Sequence, residues 1–200
     1  MKQYLAIALS VLLAAAGSSS QTTWSIDRAH SRVTFTVTHM VVAELTGRFT
    51  DFDGTLVSSK EDFTDAKIGA TIKTASVNTD NEFRDKHLRS DDFFNADSFP
   101  TITFASTGVE KTGADTYKIT GNLTIRNITK SVVLETKYKG QVSAGGGTKA
   151  GFKATTTIDR FEFGTKWNKA VDATSLIVGK SVEITLLLEF NKQPAEQKGK

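Results

Sequence analysis

Residues 32–40 read RVTFTVTHM. Val33, Phe35, Val37 and His39 fall on one face of an extended chain, and Thr34, Thr36 and Thr38 fall on the other. Alternation sustained over this length is the pattern of a strand with one apolar and one wetted face. The same period recurs along the chain. AKIGATIK (66–73) aligns Ala66, Ile68, Ala70 and Ile72, and TITFAS (101–106) offers Ile102 and Phe104. YKITGNLTI (117–125) aligns Tyr117, Ile119, Gly121, Leu123 and Ile125, and GFKATTTI (151–158) aligns Phe152, Ala154, Thr156 and Ile158. SVEITLLLEF (181–190) sets Val182, Ile184, Leu186, Leu188 and Phe190 against Glu183, Thr185 and Glu189.

Turn signals separate these runs, with KTGADT (111–116) and SAGGGTKAG (143–151) reading as hairpin connections. Only two prolines occur, so the strands keep their N–H groups for pairing. Many antiparallel strands with one apolar face each can form a sandwich or a barrel. The opposite faces are largely threonine and charge, so one enclosed interior suits the pattern better than two sheets.

The ends of the chain read differently. Lys2, the apolar run YLAIALSVLLAAA (4–16) and the small residues AAAGSSS (14–20) have the form of a cleaved secretory signal peptide. As a membrane anchor the run falls short of the roughly 20 apolar residues a bilayer span needs. Residues 21–193 make one domain, and PAEQKGK (194–200) is a polar tail. With no cysteine there is neither a disulfide framework nor a lipid-modified N-terminus, so a packed core must supply stability. The formal net charge of +3 falls to +2 without Lys2, too mild and too dispersed to suggest a nucleic-acid partner.

One stretch breaks the alternation. In EFRDKHLRSDDFF (82–94), preceded by TDNE (79–82), the Thr-x-x-Glu spacing predicts a helix with Thr79 as N-cap and Glu82 at its third position. Phe83 and His87 then lie four apart on one face, with Arg84 three residues before His87. Such a helix crosses between strands, where it can close one end of a barrel.

The chemistry open to these residues is limited. Three histidines (His30, His39, His87) without a ligand spacing such as His-Glu-x-x-His suggest no metal site. The nucleophile elbow, P-loop and dinucleotide fingerprint are missing, and GGGTKAG (145–151) reads as a flexible hairpin tip. NLT and NIT fit the glycosylation triplet but sit in or beside a strand. Asp91 and Asp92 read as solvated caps before they read as an acid/base pair. Ser90, His87 and Asp85 carry the letters of a triad within six residues, too close in sequence for relay geometry. No catalytic residue is assigned. His39 falls on the inward face, either finding a backbone partner at the strand's end or facing a cavity that holds an amphipathic ligand. His30, after DRA, is expected to organise the turn before its strand.

The segments WSIDRAHSRVTFTVTHM (24–40), GRFTDFDGTL (47–56), FRDKHLRSDDFFNADSFPTITFAS (83–106), ITGNLTIRNITKSVVLE (119–135) and IDRFEFG (158–164) resemble, in order, the YceI-like family of lipocalin-like, polyisoprenoid-binding periplasmic proteins. The resemblance covers residues 22–190, and Arg84, Asp85, His87, Leu88, Phe93 and Phe94 carry its most specific motif. The sequence departs mildly at Asn127, where the family often has Gly, and at Lys180 and Ser181, where acids are common. The resemblance implies an all-β, lipocalin-like antiparallel β-barrel with a short helix crossing one end. It implies a hydrophobic tunnel for a long-chain isoprenoid of prenyl-quinone or prenyl-phosphate type, a periplasmic location and, for some members, dimers. No metal or other cofactor is implied. Phe35, Val37, Ile72, Phe83, Phe104, Leu123, Ile125, Phe152 and Leu186 are then expected to line the tail site. Arg84, Asp85, His87 and His39 are expected at the head group, with Asp85 orienting Arg84 or a nearby backbone group. Binding, carriage or sequestration of the lipid is the expected function, with peripheral membrane contact. The alternatives are a hydrolase or isomerase of an amphipathic substrate with His87 as base, and an interaction protein whose barrel is simply a packed core.

Overall fold

The computed structural model describes residues 21–172 and 175–194. The expected signal segment 1–20 and all but Pro194 of the expected polar tail lie outside the described residues. Eleven strands and one helix follow in order: β1 (Thr22–Ile26), β2 (Arg32–His39), β3 (Ala43–Phe49), β4 (Phe52–Ser58), β5 (Lys67–Lys73), β6 (Val77–Asn78), α1 (Glu82–Arg89), β7 (Thr101–Lys111), β8 (Thr116–Ile125), β9 (Ile128–Ala144), β10 (Gly147–Asp159) and β11 (Val178–Lys192). The ring runs β1-β4-β5-β7-β8-β9-β10-β11, and β11 returns to pair with β1, so the sheet closes as an eight-stranded antiparallel barrel. This is the expected all-β barrel, with α1 at one end.

The remaining strands lengthen three of the staves. β2 continues β1 along β11, β3 continues into β4, and β6 continues β5 along β3. Each break is bridged locally. Between β1 and β2, Asp27 Oδ1 accepts the N–H groups of Ala29 and His30, and Ser31 Oγ accepts the Glu189 N–H at 2.9 Å in place of a backbone carbonyl. The turn expected of His30 is therefore organised by Asp27. Its carboxyl is held well below the usual carboxylate range by His30 first and then by Lys149, whose Nζ lies 3.1 Å away.

Sidedness follows the period-2 pattern. Val33, Phe35 and Val37 of β2 are buried, as are Tyr117, Ile119, Leu123 and Ile125 of β8. Thr124 faces outward, where its hydroxyl shares a hydrogen bond with Thr129. The arrangement inverts that of a membrane-spanning barrel, whose apolar band faces lipid. Two glycines let aromatic rings lie flat across the sheet. A Cβ on Gly47 would come within 2.3 Å of the Phe35 ring, and one on Gly121 within 2.3 Å of Phe104. Between β8 and β9, Arg126 (φ 51°) and Asn127 (φ 59°) make a two-residue turn. Asn tolerates the left-handed region better than most residues, which suits it to the second position of this turn.

The end of the barrel away from α1 is plugged. Phe63 packs edge-on against Trp24, Tyr138 and Phe152 with centroids 5.4–5.6 Å apart. Its loop is shaped by Asp65, which accepts from Ser58 Oγ, Ser59 N and Lys60 N at 2.5, 3.0 and 3.2 Å. These donors, the Ser58 hydroxyl foremost, lower the Asp65 carboxyl from its ordinary 3.8 to about 2. A carboxyl lowered on folding stabilises the fold above its unfolded pKa and loses that contribution as pH falls through the folded value. Asp65→Asn should therefore flatten the loss of thermal stability between pH 4 and 2 that the unsubstituted protein shows, as read by melting curves across that window. On the wall, Leu123→Asp should prevent folding while Thr124→Asp changes the melting temperature little, because a buried unpaired charge costs far more than a solvated one. Equal damage from both would place the register of β8 one residue off.

Candidate functional site

A cavity of about 230 Å³ runs through the barrel. It touches Phe63, Tyr117 and Phe152 near the plugged end and Leu88, Phe94 and Phe163 near α1, so a void of this volume must be long and thin. Phe35, Val37, Ile72, Phe104, Leu123, Ile125, Phe152 and Leu186 all line it, and nearly all of its wall is hydrocarbon. Phe83, expected in the same lining, is 86% exposed. The cause is the rotation of α1. Asp85 and Leu88 turn inward, and at 3.6 residues per turn Phe83 sits about 200° from Asp85.

Asp85 sets that rotation. The carboxylate is buried, and its Oδ1 accepts the Thr79 N–H at 2.8 Å and the Thr79 hydroxyl at 2.5 Å. Arg84 closes the cluster from the other side, donating Nε to Thr79 Oγ1 at 2.7 Å and an Nη to the Thr79 carbonyl at 2.8 Å. Thr79 is therefore the hub of the motif and not the N-cap. Asn81 caps α1, its side chain accepting from Arg84 N at 2.9 Å. Both residues belong to TDNE, and Asn81 caps because Thr79 is already bonded to Asp85. The expectation that Asp85 binds a nearby backbone group holds, and the group is Thr79 N–H.

A second cavity, of about 600 Å³, shares Phe35, Val37, Leu88, Phe93 and Val178 with the tunnel. It is the tunnel's mouth, between α1, the end of the β2–β3 hairpin and Trp167, Ile177 and Val178. His39, Arg84, His87 and Trp167 line it and Asp85 does not. Three of the four expected head-group residues thus share one opening, while Asp85 serves the frame behind it. His87 Nε2 lies 2.7 Å from Asp92 Oδ2, and its ring meets Phe93 edge-on at 5.1 Å. Phe93 in turn stacks on Trp167 at 5.7 Å. The spacing argument against a triad holds, since Ser90 Oγ donates to the His87 carbonyl and Asp85 is bound to Thr79. Asp91 is engaged by Arg126 and Lys166, so Asp91 and Asp92 do not form a free carboxylate pair.

Two arginines escaped notice in the sequence. Arg126 reaches from the β8–β9 turn to the carbonyls of Asp91 and Phe93 at 2.9 and 2.6 Å, pinning the loop after α1. Arg160 is buried where tunnel and mouth meet and donates to the carbonyls of Gly179, Val178 and Trp167 and to Thr165 Oγ1. Burial lowers its pKa, yet an arginine remains charged. Nothing in the local pattern of IDRFEFG distinguishes such a buried role from a surface arginine. Asp27, His30 and Glu189 bring their ligand atoms within 4.8 Å, and Lys149 Nζ pairs with both carboxylates, 3.1 Å from Asp27 and 2.6 Å from Glu189.

Removing the hub's acceptor should be costly. Asp85→Ala leaves the Thr79 N–H and hydroxyl without a partner and should destabilise by about 3 kcal/mol in chemical denaturation, against about 1 kcal/mol for Asn81→Ala at the cap. The reverse ranking would mean that the helix cap, and not the Thr79 cluster, holds α1 on the barrel.

Comparison with known proteins gives the barrel a family. The model of the YceI-like domain matches residues 24–190. Protein YceI of Salmonella newport is 42% identical over 165 residues, which cover 81% of this chain and 86% of that protein. Among solved structures, BcnA of Burkholderia cenocepacia superposes with a TM-score of 0.71 at 23% identity, over 82% of this chain and 98% of its own. A polyisoprenoid binding domain from Saccharophagus degradans, implicated in plant cell wall breakdown, superposes with a TM-score of 0.62 at 15% identity, over 85% and 98%. These two likenesses are of fold. With the family match spanning both the barrel wall and the Arg84–Phe94 motif, the chain belongs to the YceI-like family.

Proposed function

We propose that this protein binds and carries a long-chain isoprenoid lipid, of prenyl-quinone or prenyl-phosphate type, in the periplasm after export by residues 1–20. The tail lies in the tunnel and the head rests in the mouth. The carrying observation is the geometry of one thin, hydrocarbon-walled tunnel that opens into a cavity flanked by Arg84, His87 and His39. The naming of the Saccharophagus degradans barrel as a polyisoprenoid binding domain supports the same reading.

Energetics assign the two parts different tasks. Each buried CH₂ contributes about 0.8 kcal/mol, so several isoprene units bring a gross term on the order of 20 kcal/mol. Ordering the tail offsets much of it. Tail burial secures binding but separates chain lengths poorly, whereas an unmatched head leaves polar groups unpaired and is rejected more sharply. Arg84 offers a planar fork, and His87, held by Asp92, the edge of its imidazole. The 2.7 Å His87–Asp92 pair also favours, as a second reading, an enzyme in which His87 is the base.

Native mass spectrometry of protein purified from an exporting host should find one isoprenoid-tailed lipid per chain and report the oligomeric state in the same spectrum. Delipidated protein should melt lower and regain on the order of 5–10 °C when prenyl lipid is added well above its Kd. His87→Ala should keep most of that gain. Lipid-free protein from several hosts, indifferent to prenyl lipid, would overturn the carrier. Turnover of a prenyl lipid that falls by about 10² or more in His87→Ala would establish the enzyme.

A further inference from the structure

We infer that the rim of the mouth is a docking surface for a lipid bilayer, an inference that rests on the carrier reading and names where its ligand enters. The two most exposed large apolar side chains of the described residues, Val42 at 88% and Phe83 at 86%, directly precede Ala43 and Arg84, which line the same opening from two different elements. Val42 follows Met40 and Val41 at the tip of the β2–β3 hairpin, and both of these are exposed as well. Phe83 projects from α1 directly before Arg84, which lines the mouth. A third apolar projection is Val171. Its segment is tied to the hairpin tip through Met40 N–H to the Ile177 carbonyl at 2.7 Å and Ile177 N–H to the Lys169 carbonyl at 3.0 Å.

The backbone shows that folding does not select these residues. Met40 and Val41 both take left-handed conformations, φ 49° and 67°, at the hairpin tip. Turn chemistry favours Asn and Gly at such positions, and a β-branched residue is strained there. The chain instead places three apolar side chains in succession where none packs into the core. Strain of this kind is kept where it serves a function.

The occupant is a bilayer and not a second copy of the chain. The five side chains together expose on the order of 600 Å², divided among three projections around an opening, whereas a stable dimer takes about 800 Å² of continuous surface from each partner. Shallow insertion into the headgroup boundary needs no continuous surface, only apolar points that reach it. The rim's exposed Lys86 and Lys169 are offset by Glu44 and Glu82, so insertion and not charge attraction drives the contact. Docked in this way, the mouth faces the hydrocarbon, and a prenyl tail can enter the tunnel without crossing water.

The test is flotation with phosphatidylcholine vesicles, comparing the purified protein with Met40→Asn/Val41→Gly/Phe83→Ser, both carrying the same N-terminus. The variant should float at least 10-fold less, melt no lower than the parent because its turn strain is relieved, and still hold one lipid per chain by native mass spectrometry. High salt should leave the parent's flotation unchanged. A variant that floats like the parent, flotation confined to anionic vesicles and lost in salt, or a parent dimer that the variant dissociates would each overturn the docking surface. A lipid-loaded parent that fails to float also rejects docking while leaving the carrier intact, and a lipid-free parent that floats does the opposite.

Discussion

The pairing of β11 with β1 is the contact on which the rest of this molecule depends. It turns an open sheet into a ring, leaving each of the eight staves a neighbour on both sides. Only then can the inner face be nearly all hydrocarbon, because ladders on both sides of each stave pair backbone groups that would otherwise need water. A ring of this size has an interior that side chains can nearly fill. Here they leave a thin channel, and Gly47 and Gly121 help set its shape by letting Phe35 and Phe104 lie along the wall.

The mouth follows the same logic with charged groups. Asp85, Arg126 and Arg160 are all buried near it, and each is satisfied by backbone, hydroxyl or, for Arg126, carboxylate groups of the loops it holds. Losing one leaves its partners unpaired in a dry setting, so these residues fix the opening more firmly than apolar packing at a barrel end could. The frame in turn leaves Arg84, His87 and His39 facing the opening. Arg84 takes part in both, donating to Thr79 beside Asp85 while it lines the opening.

The division between channel and mouth also separates affinity from selection. The channel contributes a large, nonspecific term that grows with each methylene, and the mouth contributes few polar contacts with defined directions. The apolar rim lies outside both, on the hairpin tip and the solvent face of α1, where Val42 and Phe83 are the two most exposed large apolar side chains of the described residues.

Much of the wall was legible in the sequence, because each stave has one face to hydrocarbon and one to water, which writes period two into 32–40, 117–125 and 181–190. β9 carries little of that signal, since most of its side chains are exposed and only Leu134 and Thr136 are buried. The breaks in the staves were not legible either. Ser31 replaces a ladder group for Glu189, a residue 158 positions away, and no local pattern records such a partner. At the site, the helix and the neighbourhood of Arg84, His87 and His39 followed from spacing and resemblance. The cap moved from Thr79 to Asn81, and Phe83 turned to solvent, because Asp85 reaches a buried threonine and fixes how the helix is rolled. Alternation and spacing are set by each residue's exposure along its own element and so are written locally. The roll of a helix, the partner of a buried arginine and the closing of a ring are decided by contacts between distant segments, and only the folded chain brings those together.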